Sequence, residues 1–327
     1  MFKRRLPGLV VLLVILLPAA VTAAQDPVDV VTAITQEDVM QHVRALSVTI
    51  GARPMGGEAE AQAADYIAAA FREWGYAVEI QPFAIAPLSE GRVSRNVIAV
   101  KPGGEGMIVV GAHMDSVTAG TGAGDNASGV AALLTTAEVL QNIEPVHTLV
   151  FVAFGAEEGG SPSGASAYVD RLGDDITRVR AMVNVDSVGL GTALHVYAGA
   201  RVTWPQSGSA APAIEGGPVW VRDLALELAA GLGLPFGTSP DDTWGGFTGD
   251  WGDHYAFVLE DVPVAYLEAW QWEGAADPWW GQETAEGDVM HTEGDVYDNV
   301  VPQKVENAAE LLAALTLALV TGEGAPG

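Results

Sequence analysis

The strongest constraint on this chain is an alternation along almost its whole length. Short strand-like runs, several of them unbroken in apolar character, take turns with segments of helical periodicity. The runs at 77–83, 96–100, 107–112, 148–154, 181–185, 194–197 and 262–267 read as strands. Helices are predicted near 58–74, 126–142, 164–172, 219–230 and 305–319, and Thr35 caps an earlier one with Glu37 and Asp38 in its first turn. Continuous apolar strands are buried on both faces, and helices placed between them close parallel pairs. The predicted fold is therefore α/β, three-layer α/β/α with a central mixed, largely parallel sheet. No repeat or linker divides residues 25–327, which read as a single domain.

Composition narrows the function. Hydrophobic residues make up 49% of the 327, enough for a large core. Against 15 Lys and Arg stand 42 Asp and Glu, a net charge of −27. Nucleic acid is excluded as a partner, because phosphate binding needs a cationic footprint. Cysteine is absent, which removes disulfides, thiol nucleophiles and Cys-based metal sites. Residues 1–24 read as a signal peptide: Lys3, Arg4 and Arg5 precede the apolar run from Leu9 to Leu17, and small residues follow at Ala23 and Ala24. That run falls short of the ~20 residues needed to span a bilayer. The expected product is secreted, periplasmic or extracellular, with no stable membrane association after cleavage.

In such a sheet functional groups gather at the carboxyl ends of the strands. The run 107–112 ends in His113-Met-Asp115. The next loop ends in Gly-Asp125-Asn-Ala-Ser-Gly129 at the start of a helix. Run 148–154 leads to Glu157-Glu158, run 181–185 ends at Asp186, and a late loop carries His291-Thr-Glu-Gly-Asp295. Two imidazoles and several carboxylates form a nitrogen and oxygen donor set suited to zinc, and a set without Cys points to catalysis. Charge favours two Zn2+ ions: Asp125, Glu158 and Asp186 plus one bridging hydroxide balance two divalent ions. One carboxylate must stay off the metal to carry protons, and the adjacent Glu157 and Glu158 suit that division.

This ordered set resembles the M28 family of co-catalytic zinc aminopeptidases. Gly51-Ala-Arg-Pro, Asn96-Val-Ile-Ala and Gly252-Asp-His-Tyr-Ala-Phe257 fall in the same order. The resemblance implies that Asp125 bridges two zincs, with Glu158 and His291 completing one site and His113 and Asp186 the other. Glu157 is implied as general base and then general acid, in the hydrolysis of the N-terminal bond of peptides with a free N-terminus. Asp115 and Asp295 are implied as supports that orient the two histidines, as metal-bound imidazoles generally require. His254 is a further candidate for the lining of the site. Gly252 and Ala256 stand where the family pattern has Ser and Pro.

Other readings of the same residues are a carboxypeptidase on this scaffold, a glutaminyl-cyclase-like enzyme, and a non-catalytic receptor-like ectodomain, which typically loses ligands. An M20-type peptidase would insert a dimerisation domain between Asp186 and His291, where no independent unit is legible. His42, His147 and His195 fall inside predicted elements and read as structural. Trp270, Trp272, Trp279 and Trp280 precede His291 in a stretch rich in Gly and charge. They are expected on a loop that walls the pocket for the first substrate side chain.

Overall fold

Cross-strand pairing carries the strands beyond their apolar centres, so most are longer than the runs that announce them. The computed structural model describes residues 27–85, 91–159, 163–205, 212–241, 243–272, 283–284 and 287–322. The expected signal peptide and Trp279 and Trp280 lie outside these residues. The strands are β1 (Ala77–Ala84), β2 (Val93–Lys101), β3 (Gly104–His113), β4 (His147–Phe154), β5 (Val179–Val185), β6 (Ala193–Thr203), β7 (Ala213–Gly216), β8 (Phe236–Gly237), β9 (Phe247–Thr248) and β10 (Val264–Trp270). The helices are α1 (Pro27–Val31), α2 (Gln36–Arg44), α3 (Glu58–Glu73), α4 (Gly129–Val139), α5 (Ser163–Leu172), α6 (Trp220–Leu232), α7 (His254–Val258) and α8 (Pro302–Thr321).

The sheet runs β1-β2-β4-β3-β5-β10-β6-β7, with β8 and β9 also paired to β6. Its centre, β4-β3-β5-β10, is parallel. Along this order both flanks are antiparallel, while β8 and β9 pair with β6 in parallel. One face is covered by residues of α2, α3, α4, α6 and α8, including Val39, Ile67, Leu133, Ala225 and Leu312. The other face meets α5 and α7 through Tyr168 and Phe257. Three layers result. The last helix, α8, starts with Pro302 in its first turn and ends at Gly322 in the left-handed region, the two residues best suited to those positions. Its leucines are buried almost all round, and truncating one such as Leu312 to Ala should cost ~2–5 kcal/mol.

Two local departures from the expected elements matter for the site. Helix α4 begins at Gly129 rather than Asn126, because Asp125 and Asn126 leave helical geometry at φ −110° and −132°. The Asp125–Asn126 peptide is cis. Asn126 Oδ1 instead accepts from the Gly129 and Ser187 N–H groups, tying the helix start to the end of β5. Strand β10 continues past Leu267 to Trp270, which pairs with Ala193 and is 4% exposed. Trp270 is therefore a buried strand residue, not a loop residue. Trp272 is half-buried and donates its indole N–H to the Tyr197 hydroxyl at 3.1 Å, an arrangement of packing.

Candidate metal centre

Because β4, β3 and β5 are adjacent and parallel, their carboxyl ends bring three groups of polar residues to one edge. His113 is the last residue of β3 and is 1% exposed. Its Nε2 lies 3.1 Å from Asp125 Oδ1 and 3.2 Å from Asp186 Oδ1. The other oxygen of Asp125, Oδ2, lies 3.1 Å from His291 Nε2, which is 3.0 Å from Glu158 Oε2. Asp125 thus stands between two imidazole–carboxylate pairs, one oxygen toward each. His291, which follows the short strand pair Glu283–Thr284 and Gly287–Asp288, sits with φ at +56°, in the left-handed region.

These separations suit a metal. In a tetrahedral zinc site with bonds of ~2.0–2.1 Å, ligand atoms lie about 3.3 Å apart, close to the spacing within each group. Ligand atoms of His113, Asp125 and Glu158 all lie within 4.8 Å of one another, so the two groups are contiguous. Each imidazole faces two carboxylates through its Nε2, His113 those of Asp125 and Asp186 and His291 those of Asp125 and Glu158. Burial opposes the charge on His113, but Asp186, Asp115 and Asp125 outweigh it and raise its pKa well above the ordinary value. Hydrogen bonds to Asp125 and Glu158 lift His291 to about 11. Burial would raise Asp125, yet the two histidines hold it below the usual carboxylate range.

The two glutamates stand in different surroundings. Glu158 faces His291, and burial with Asp125 nearby raises it to about 7. The Glu157 carboxylate makes no hydrogen bond to the described residues. Loss of water around it, followed by Asp253, Asp186 and Glu158, raises its pKa well above the ordinary value against the pull of His113. Such a group is poised to hold and release a proton.

The expected supports act mainly on backbone. Asp115 Oδ1 is 3.6 Å from His113 Nδ1, too long for a strong hydrogen bond. Its oxygens accept instead from the Glu157 and Glu158 N–H groups at 3.1 and 3.2 Å. Asp295 accepts from the Gly124 and Asp125 N–H groups at 2.6 and 3.2 Å, so it grips the Asp125 loop rather than the His291 ring. Tight turns leave N–H groups without ladder partners, and a carboxylate with several lone pairs satisfies two at once. His254 is buried, donates to the Gly249 carbonyl, and packs its ring 4.6 Å from Tyr266. It meets the site only through that tyrosine.

Several residues carry the site to which the sequence patterns gave no role, although Arg53 and Asp253 lie within quoted motifs. Tyr266 donates its hydroxyl to Asp186 Oδ2 at 3.1 Å, and buried Glu268 lies 3.4 Å away on the same strand. Asp253 is buried, and among the described residues neither of its oxygens has a hydrogen-bond partner. Arg53, wholly buried, donates to the carbonyls of Leu46, Gly51, Met114, Thr121 and Gly122. Burial lowers its pKa to about 10, while Asp295, Asp115, Asp125 and Glu158 pull the other way, so it stays a cation. It clamps both ends of the loop that leads from His113 to Asp125.

Strand ends carrying His113, Glu157, Glu158 and Asp186, with His291 brought in from a loop, give a nitrogen and oxygen donor set of the metalloenzyme kind on an α/β sheet. The sequence pattern of peptidase family M28 matches residues 96–316, and the chain belongs to that family. It is 35% identical over 182 residues to leupeptin-inactivating enzyme 1 of Streptomyces exfoliatus, covering 53% of this chain and 39% of that one. Leucine aminopeptidase 2 of Trichophyton equinum is 32% identical over 187 residues, 56% of this chain and 35% of its own. The chain thus matches well under half the length of these relatives. In fold it resembles BSAP, a zinc aminopeptidase from Bacillus subtilis, with TM-score 0.71 and 18% identity, covering 90% and 97% of the two chains. A glutaminyl cyclase from Porphyromonas gingivalis has TM-score 0.62 at 20% identity, covering 86% and 98%.

Proposed function

We propose that this protein is an exported zinc aminopeptidase with two metal ions. Asp125 is shared between them, His291 and Glu158 hold one, and His113 and Asp186 hold the other. The observation that carries this reading is the division of the Asp125 carboxylate, one oxygen to each imidazole–carboxylate group. Zinc held by these residues would supply a water of lowered pKa and polarisation of the substrate carbonyl. The chain's own residues do the rest. Glu157, whose carboxylate makes no hydrogen bond to the described residues, takes the proton of the attacking water and delivers it to the departing amine. The excess of 42 Asp and Glu over 15 Lys and Arg favours a substrate with a protonated α-amine over one with a blocked N-terminus. The names of the relatives, leucine aminopeptidases among them, support the same substrate end.

Export rests on the basic, apolar and small-residue order of the first 24 positions. Among the described residues no helix is long and apolar enough to cross a membrane. The deciding experiment measures zinc in the purified protein and follows a panel of free, N-blocked and N-terminal-glutamine peptides by mass spectrometry. Two zincs per chain and release of N-terminal residues from free peptides alone are expected. Loss of ammonia from the glutamine peptide without bond cleavage would establish the cyclase instead, and release of C-terminal residues a carboxypeptidase.

A further inference from the structure

We infer that Glu60, far outside the candidate ligand set, is a positioning residue for Glu157. The inference rests on the proposed role of Glu157 as proton carrier. Glu157 lies beyond the end of β4 in a turn that has left the ladder, and four successive amides there are held by side chains from elsewhere. The Gly155 N–H donates to Asn96 Oδ1 at 3.2 Å. The Ala156 N–H donates to Glu60 Oε1 at 3.1 Å, and the Glu157 and Glu158 N–H groups go to Asp115. Ala156 sits at φ +56°, in the left-handed region that a residue with a Cβ avoids unless its surroundings compel it. The Glu60 hydrogen bond is on this residue, the one immediately before Glu157.

Glu60 is itself fixed. It rises from the apolar face of α3, among Ala63, Ala64 and Ile67, and has no exposed surface. Ser94 donates its hydroxyl to Oε1 at 2.6 Å, and the Gly56 N–H donates to Oε2 at 2.8 Å. The fit leaves no slack: a Cβ on Gly155 would lie 2.3 Å from Ser94 Oγ and 2.8 Å from Glu60 Oε1. The two glutamates beyond the turn depend on it unequally. Glu158 is tied again through its side chain, to the Val117 N–H at 3.1 Å and to His291. The Glu157 carboxylate has no hydrogen bond to the described residues, so its direction is inherited from the backbone. Releasing Ala156 should therefore misdirect Glu157 and spare the metal ligands.

The test is a set of full-length variants: Glu60→Gln, Ser94→Ala, Glu157→Gln and the double variant Glu60→Gln/Glu157→Gln. Gln keeps the size of Glu60, but its amide end cannot accept, so either the Ala156 or the Gly56 contact is lost. For an aminoacyl p-nitroanilide, Glu60→Gln should lower kcat ~10–100-fold, the scale of a displacement of about 1 Å in a catalytic group, with KM within about twofold and metal content unchanged. In the Glu157→Gln background the same change should have no further effect, because the two act as one unit. Ser94→Ala, which loosens Glu60 without removing it, should show the same pattern at smaller amplitude, and it carries the test if Glu60→Gln does not fold. Amide exchange at Ala156 or at Gly56 should speed up at least tenfold in Glu60→Gln, while Gly124 and Asp125 keep their protection. Unchanged kcat, metal loss in step with kcat, or an undiminished effect in the Glu157→Gln background would each overturn the inference. If the wild-type protein releases no N-terminal residue, the proposed function fails. Unaltered exchange at both Ala156 and Gly56 would still refute the Glu60 contacts by itself.

Discussion

Replacing Arg53 by Lys keeps the charge and removes the fork, which separates the two things this residue supplies. The guanidinium reaches five carbonyl oxygens, of which those of Leu46, Met114 and Gly122 belong to buried contacts. They are served by three different nitrogens, Nε, Nη1 and Nη2. A lysine offers one nitrogen, so at least one buried carbonyl, and on simple geometry two, must lose its partner. Each costs ~1–3 kcal/mol, while the half-buried carbonyls of Gly51 and Thr121 can turn to water. A loss of about 2–4 kcal/mol is expected, a large part of the ~5–15 kcal/mol that holds a typical domain together. Urea unfolding of the metal-free protein, followed by tryptophan fluorescence, reads it directly. A loss below about 1 kcal/mol with an unchanged slope would mean that the loop carbonyls find other partners, and the clamp argument would fail.

Three further outcomes are expected. Glu157→Gln should cut turnover ~10²–10⁴-fold with both metals retained, whereas Glu158→Gln should lose metal, both read by kinetics beside elemental analysis; swapped phenotypes would reverse the assignment. Asp125→Ala should remove more zinc than His113→Ala, since only Asp125 faces both groups, and equal losses would count against sharing. Burial lowers His42 from 6.5 to about 4, with Asp38 pulling weakly the other way. Between those values the unfolded chain takes up a proton that the folded one refuses, so the stability associated with neutral His42 is complete above pH 6.5 and is lost as pH falls toward 4. The advantage of wild type over His42→Gln in urea unfolding should therefore shrink by about 2 kcal/mol from pH 7 to pH 5. A constant gap would show that His42 titrates normally.

Sequence alone reached the centre of the sheet and the candidate ligands for one reason. Continuous apolar runs mark buried parallel strands, and the first polar residue after each run has nowhere to go but the carboxyl edge. His113 and Asp186 are such residues. Arg53 and Glu60 were opaque because their meaning lies in partners such as Met114, Gly122 and Ala156, reached across 61, 69 and 96 positions. Glu60 did leave a trace, an acid at helical spacing within the stripe Ala63, Ala64, Ile67 and Phe71, but a stripe does not say what it faces. Glu268 was hidden in the same way inside an apolar strand. Trp270 was misplaced on a loop because the nearby Gly and charge read as loop chemistry, whereas its pairing with β6 keeps it in the sheet. Asp295 lay in the right place with a different task, since spacing from a histidine does not reveal which N–H groups a turn leaves unpaired.

The Asp295 contact also bears on how the molecule comes into being. Its hydrogen bond to Gly124 joins positions 171 apart, and the neighbouring Thr121 N–H donates to the Asp295 carbonyl. During synthesis the Asp125 loop is therefore made long before the segment that fixes it, and until that segment arrives the acidic groups at the strand ends face one another without His291 among them. Contacts of such long range form late and slowly. The same closure makes the finished centre resistant to piecemeal loss, because releasing the Asp125 loop requires withdrawing a segment anchored directly ahead of α8. A segment made long after the strand ends thus acts as the latch of a site whose other residues precede it in the chain.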